Sequence, residues 1–86
     1  MERPEILEKV REVMSDKLGI KKTDINEASR LDEDLRADSL TKVEILMGIE
    51  EVFEGIGDIS DDDAATMKTV GDIVNYLEKH LNPAPA

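Results

Sequence analysis

Apolar residues recur at helical spacing in three stretches of the chain, and nowhere do they alternate with polar ones as a half-buried strand requires. In the first stretch Ile6, Val10, Val13, Met14 and Leu18 share a face. Pro4 suits a first helical turn and Gly19 a left-handed end, so the spacing predicts an amphipathic helix of about 14 residues. Glu8 and Glu12 would pair along its surface with Arg11 and Lys9. Residues 20–37 hold no sustained period. Their apolar residues, Ile20, Ile25, Leu31 and Leu35, read as anchors that pin a long first loop, with a short helical turn near Thr23–Asn26.

Asp38 is a favoured N-cap and opens a second helix that runs to about Glu54, where Gly55 and Gly57 end it. Ser60 opens a short third helix with Asp61, Asp62 and Asp63 in its first turn, where the helix dipole favours acids. Thr69, with Asp72 three residues on, caps the last helix, whose stripe is Val70, Ile73, Val74, Leu77 and Leu81. The chain therefore reads as all-α: a small four-helix bundle of three main helices and one short one, with a long first loop. Its 86 residues make a single domain spanning 1–81, and residues 82–86, Asn-Pro-Ala-Pro-Ala, read as a disordered tail.

The second helix has two faces to account for. Advancing roughly 100° per residue from Ser39 puts Ile45, Leu46, Ile49, Val52 and Phe53 in a core-facing arc at about 220–340°. A second arc, at about 0–140°, holds Ser39, Leu40, Val43, Glu44, Met47, Glu50, Glu51 and Glu54. Its glutamates oppose burial all round. This arc reads as a partner-binding stripe in which Leu40, Val43 and Met47 supply contact area and the glutamates supply steering and register. Loose core packing of Val43 and Met47 is the alternative. Gly48, inside the helix, costs roughly 1 kcal/mol relative to alanine, which suggests close approach of a neighbouring element.

Charge sharpens that picture. The chain has 21 acidic and 11 basic residues, net -10. Residues 1–31 and 64–86 are each neutral, so the whole excess lies in residues 32–63, where twelve acids face only Arg36 and Lys42. Confinement to one segment favours a docking surface for a basic partner over a general solubilising face. Such a chain, with one Tyr and one Phe, offers nucleic acid neither a cationic footprint nor a stacking platform. The absence of cysteine excludes disulfides, a Cys-ligated zinc site and a cysteine nucleophile, and one histidine makes no metal cluster. The longest apolar run, Ile45–Ile49, is far short of the ~20 residues of a membrane span. Met1–Glu5 has neither the basic nor the apolar region of a signal segment, so a cytoplasmic location is expected, and the chain is expected to be a monomer.

Other constellations fail on their spacing. Asp58, Ser60 and Asp62 imitate the start of an EF-hand loop, but Asp63 and Thr69 stand where glycine and the bidentate glutamate belong. No metal site is expected beyond weak divalent binding along Asp58–Asp63. Ser39 and His80 lack the oxyanion donors and orienting acid of a catalytic pair, and His80 reads as a surface residue near a helix C-terminus. Met1, Met14, Met47 and Met67 read as initiator, core or contact residues.

Ser39 directly follows the Asp38 cap, so a phosphate on its hydroxyl would meet the positive end of the helix dipole while Asp38 repelled it. That suits a group on display rather than one buried. The run Leu35-Arg36-Ala37-Asp38-Ser39-Leu40, followed by Val43-Glu44 and Glu50-Glu51-Val52-Phe53, resembles the phosphopantetheine attachment region of acyl carrier proteins. The similarity continues in order and approximate spacing through the first helix, Ala28–Leu35, and Thr69-Val70 into Tyr76-Leu77. The resemblance implies an acyl-carrier-type bundle with no catalysis of its own. It implies that Ser39, beside Asp38, accepts 4′-phosphopantetheine from coenzyme A through a phosphodiester installed by a phosphopantetheinyl transferase. The arm's thiol would then present acyl groups as thioesters in fatty-acid, polyketide or related lipid biosynthesis. Acyl-transferring or condensing enzymes would dock basic patches on Asp38, Leu40, Val43, Glu44, Met47, Glu50 and Glu51, with Glu54 continuing the stripe. Ile45, Leu46, Ile49 and Phe53 would line a cavity for the acyl chain. A peptidyl or aminoacyl cargo, and an unmodified acidic helical adaptor, are the competing readings.

The sequence also departs from that family pattern. Arg36 stands where many members have glycine, and Lys42 where an acidic or neutral residue is common, which would weaken the acidic surface. Val52 is apolar where a third consecutive acid is frequent, and the Gly55–Met67 segment is slightly long and rich in aspartate. These departures imply a specialised carrier with a restricted partner set rather than the housekeeping fatty-acid carrier.

Overall fold

The computed structural model describes residues 2–81, which form four α-helices: α1 (Arg3–Leu18), α2 (Ser39–Val52), α3 (Asp61–Thr66) and α4 (Val70–Leu81). Short 3-10 turns at Lys22–Asp24 and Glu54–Ile56 lie between them. The described residues contain no strand, only an isolated bridge between Arg30 and Thr69. The tail expected at 82–86 lies outside the described residues.

Pro4 sits in the first turn of α1, and Gly19 closes the helix at φ 70 with its N–H on the Ser15 carbonyl at 2.9 Å. The helix buries Ile6, Val10, Val13 and Met14 against α2 and α4. From α4 come Val70, Ile73, Val74 and Leu77, from α2 Ile45, Leu46 and Ile49, and from the connecting segments Ile25, Leu31, Ala37, Phe53 and Met67. Burying these side chains in one contiguous cluster is the main force holding so small a bundle together. On the surface of α1, Glu8 pairs with Arg11 at 3.4 Å and with Lys22 of the first loop at 2.8 Å, while Glu12 reaches Lys22 at 3.6 Å. The pairing expected with Lys9 is therefore replaced by one across to the loop.

The long first loop is held at both of the levels that matter for a buried backbone. Ile25 and Leu31 are fully buried anchors, and Ile20 and Leu35 pack at the margin of the core. The helical turn expected at Thr23–Asn26 lies slightly earlier, at Lys22–Asp24, as a 3-10 turn. Three backbone hydrogen bonds then lace the loop to the start of α4: Leu31 N–H to the Lys68 carbonyl (2.9 Å), Val70 N–H to Ser29 (3.0 Å) and Gly71 N–H to Glu27 (2.9 Å). Gly71 permits the last of these, since a Cβ there would stand 3.1 Å from the Glu27 carbonyl oxygen. Thr69 and Asp72 form the expected reciprocal cap, each side chain accepting from the other's backbone N–H at 3.1 Å.

Two boundaries differ from the helical pattern. α2 ends at Val52 rather than Glu54, because Phe53 leaves helical geometry (φ -106, ψ 73) to bury its ring, and Glu54–Ile56 turn separately. Val52, expected in the core-facing arc, is exposed. It lies at the edge of that arc and is the last helical residue, so no further turn carries it against a neighbour. Gly48 is buried, and the element approaching it is α1: a Cβ on Gly48 would stand 2.9 Å from Val13 Cγ1 and 3.3 Å from Lys17 Cε.

Candidate functional site

The loop reaches the head of α2 through a sharp corner. Ala37 is buried and donates its N–H to the Leu31 carbonyl at 2.8 Å, which folds residues 31–37 back on themselves. Arg36, just before it, takes the left-handed conformation at φ 55, and is the only non-glycine residue among those described to do so. The pattern of apolar positions carries no sign of this; glycine is the residue that adopts such φ freely, and nothing in the periodicity asks for one here.

Asp38 then caps α2. Its carboxylate accepts the Thr41 N–H at 2.8 Å and its carbonyl accepts the Lys42 N–H at 2.9 Å. The Thr41 amide, helped by the Thr41 hydroxyl, holds the Asp38 carboxyl below its ordinary value of 3.8, so this residue is an anion throughout the neutral range. Ser39 is the first residue of α2 and is exposed. Among the described residues its hydroxyl has no hydrogen-bond partner. A hydroxyl that is accessible, uncommitted and at the head of a helix fits a covalently attached phosphate-linked group, which needs no pocket of its own.

From Ser39 a stripe runs down the outer face of α2. Leu40, Val43 and Met47 are 69%, 52% and 55% exposed, and Val52, at 46%, lies toward the other side of the helix. Exposure at that level excludes the loose core packing considered for Val43 and Met47. Glu44, Glu51 and Glu54 are exposed beside them. Glu50 is half-buried instead: its carboxylate accepts the Ile59 N–H at 2.6 Å, fastening the segment that leads to α3. Lys42 does not dilute the acidic surface as its charge suggests. It is half-buried and its ammonium bonds the Ala64 carbonyl at 2.7 Å, near the C-terminal end of α3. Sequence reading misses both jobs because each joins α2 to a segment distant along the chain.

Ile45, Leu46, Ile49 and Phe53 all belong to the buried cluster behind this face. His80 is exposed, with its ring 4.0 Å from that of Tyr76. Burial, with Asp63 and Glu50 nearby, pushes the Tyr76 hydroxyl up from its ordinary value. Among the described residues no three His, Asp or Glu side chains come together as a metal ion would require, and the Ser60 hydroxyl of the aspartate-rich segment instead caps α3 by accepting the Asp63 N–H at 3.1 Å.

Residues 8–77 match the family model described as a phosphopantetheine attachment site. Among solved structures, the chain is similar to an acyl carrier protein from Enterococcus faecalis described for its high thermal stability. The identity is 32%, the TM-score 0.74, and the match covers 93% of this chain and 99% of that one.

Proposed function

The chain belongs to the acyl carrier proteins, non-catalytic carriers that bear 4′-phosphopantetheine, and on that premise we propose that the arm is joined to Ser39 and presents acyl groups to enzymes of lipid biosynthesis. The observation that carries this reading is the exposed, uncommitted Ser39 hydroxyl at the head of α2. In the loading step the Ser39 oxygen forms a bond to the pantetheine-side phosphorus of coenzyme A. The pyrophosphate bond breaks, the adenosine bisphosphate leaves, and the hydroxyl proton passes to the transferase. When bound, the arm supplies a terminal thiol that holds an acyl group as a thioester, which a chain without cysteine cannot provide itself.

The residues of the chain do the presenting. Leu40, Val43 and Met47 offer apolar contact, and Asp38, Glu44, Glu51 and Glu54 attract basic patches on the transferase and on acyl-transferring or condensing enzymes, while Glu50, tied to the Ile59 N–H, adds its charge from a half-buried position. Exposed charges of this kind raise encounter rates more than affinity, which suits a carrier that must leave each partner. Ile45, Leu46, Ile49 and Phe53 would shelter a saturated chain only by parting within the core, so cargo length is limited by how far α2 and its neighbours yield. The carrier works as a cytoplasmic monomer, and Arg36 and Val52 restrict it to a narrower set of enzymes than a general fatty-acid carrier serves.

Incubation with coenzyme A and a broad-specificity phosphopantetheinyl transferase tests the reading. Mass spectrometry is expected to find one added arm on the wild type and none on Ser39→Ala, whose fold is unchanged because the side chain is exposed. No gain under conditions that load a control carrier would overturn the proposal in favour of an unmodified adaptor. Loading followed by acceptance only of aminoacyl groups would redirect the cargo to peptide chemistry.

A further inference from the structure

Arg36 combines a disfavoured backbone with an unused charge. Its φ of 55 is a conformation that a side chain bearing Cβ resists and that glycine adopts freely. Its guanidinium is exposed and makes no hydrogen bond or ion pair among the described residues, although Asp32, Glu33, Asp34 and Asp38 are its close neighbours in sequence. The contrast with nearby cations is plain. Arg30 is engaged with Glu33 and Asp34, and Lys42, the only other base in residues 32–63, is bound to the Ala64 carbonyl. Arg36 is thus the only base of the acidic third left available.

Ser39 lies three positions after Arg36, so their Cα atoms are at most ~10 Å apart, within the span of an arginine side chain and a phosphorylated serine. A diester on Ser39 adds an anion next to the ionised Asp38 carboxylate, and two like charges on adjacent residues repel unless a cation stands by. Taking attachment at Ser39 as given, we infer that Arg36 is a positioning residue whose guanidinium pairs with the phosphodiester on Ser39 and holds the base of the arm toward the loop side of the α2 head. The planar fork of a guanidinium matches two phosphate oxygens at once, which a lysine would not do. The pair is solvent-exposed, so it favours the paired over the open arm only about two- to five-fold at low salt and yields to screening. That bias sets where the arm starts its excursions without locking it down.

The test compares full-length apo and holo protein by NMR, after mass spectrometry has established the arm on Ser39. The Arg36 Nε–H resonance is expected to move on loading at low salt and to return toward its apo position at high salt. The phosphorus resonance of the diester is expected to differ between wild type and Arg36→Gln, with Arg36→Lys recovering part of the difference. Arg36→Gly, which relaxes the backbone while also deleting the charge, should match Arg36→Gln; this separates the cation from the strain. An Nε–H signal that is the same in apo and holo protein at low salt, with one phosphorus resonance across the variants, overturns the pairing while leaving attachment intact. Failure of the wild type to load at all overturns both.

Discussion

At the scale of single residues, the tightest constraint in the fold is Gly48. Alanine is the better helix former by roughly 1 kcal/mol, so propensity alone predicts that Gly48→Ala stabilises α2. Packing predicts the opposite. The new Cβ would lie 2.9 Å from Val13 Cγ1, and a valine in a helix is locked near one χ1 rotamer and cannot swing aside as the Lys17 stem can. Overpacking of this kind costs typically 1–3 kcal/mol, so the clash wins. Gly48→Ala is expected to lower stability by about 1 kcal/mol, which thermal unfolding followed by circular dichroism would register as a fall of roughly 4–8 °C in Tm. Truncating the clashing partner should relieve it, so Gly48→Ala with Val13→Ala is expected to cost less than the sum of the single changes. A rise in Tm for Gly48→Ala would mean that α1 yields more easily than the geometry indicates. The need for a close neighbour at Gly48 was legible in the sequence because glycine inside a helix has a cost; the identity of that neighbour was not, because it depends on how two helices cross.

At the scale of elements, α3 is the one helix that buries no residue of its own. Its start is legible, since Ser60 and the three aspartates after it satisfy the rules for a helix N-terminus. What holds it is not legible. Lys42 bonds the Ala64 carbonyl and Glu50 takes the Ile59 N–H, so two side chains eight residues apart on α2 fasten the segment across sequence separations of 22 and 9 residues. In a list of residues both look like ordinary surface charges. Hydrogen bonds to charged groups are among the stronger ones, and here they add to a small apolar contact, since within α3 only Ala64 packs against the core, with Ile59 and Met67 flanking the helix. Lys42→Met and Glu50→Ala are each expected to speed amide exchange in residues 57–67 about five-fold, equivalent to roughly 1 kcal/mol of local opening. Protection of the buried amides of α1 and α4 should be unchanged, because neither tether reaches them. Uniform loss of protection across the chain would show that α3 opens only with the whole bundle.

At the scale of the molecule, charge is segregated in a way that makes salt act in two directions at once. Every ion pair among the described residues lies within residues 3–34 or joins Arg3 to Glu78. None involves an acid between Asp38 and Asp63, so the carboxylates that frame Ser39 repel one another without compensation from paired cations. The fold's stripes and caps were readable from periodicity, and this imbalance from counting; the pairing that confines it required coordinates, since Arg3 meets Glu27 and Glu78 only once α1, the loop and α4 are packed together. Raising sodium chloride from ~10 mM to ~300 mM shortens the screening length well below the dimensions of the acidic face. Self-repulsion then falls, while the exposed pairs that are weakened contribute individually little. The Tm of the isolated carrier is therefore expected to rise by a few degrees over this range. Turnover by a partner enzyme that docks through basic residues is expected to fall over the same range, because screening removes the attraction that brings the two together. Glu51→Gln should move both measurements as salt does and flatten both dependences. Turnover indifferent to salt would remove electrostatic steering from the account of docking, and a falling Tm would mean that the ion pairs around α1 outweigh the repulsion around Ser39.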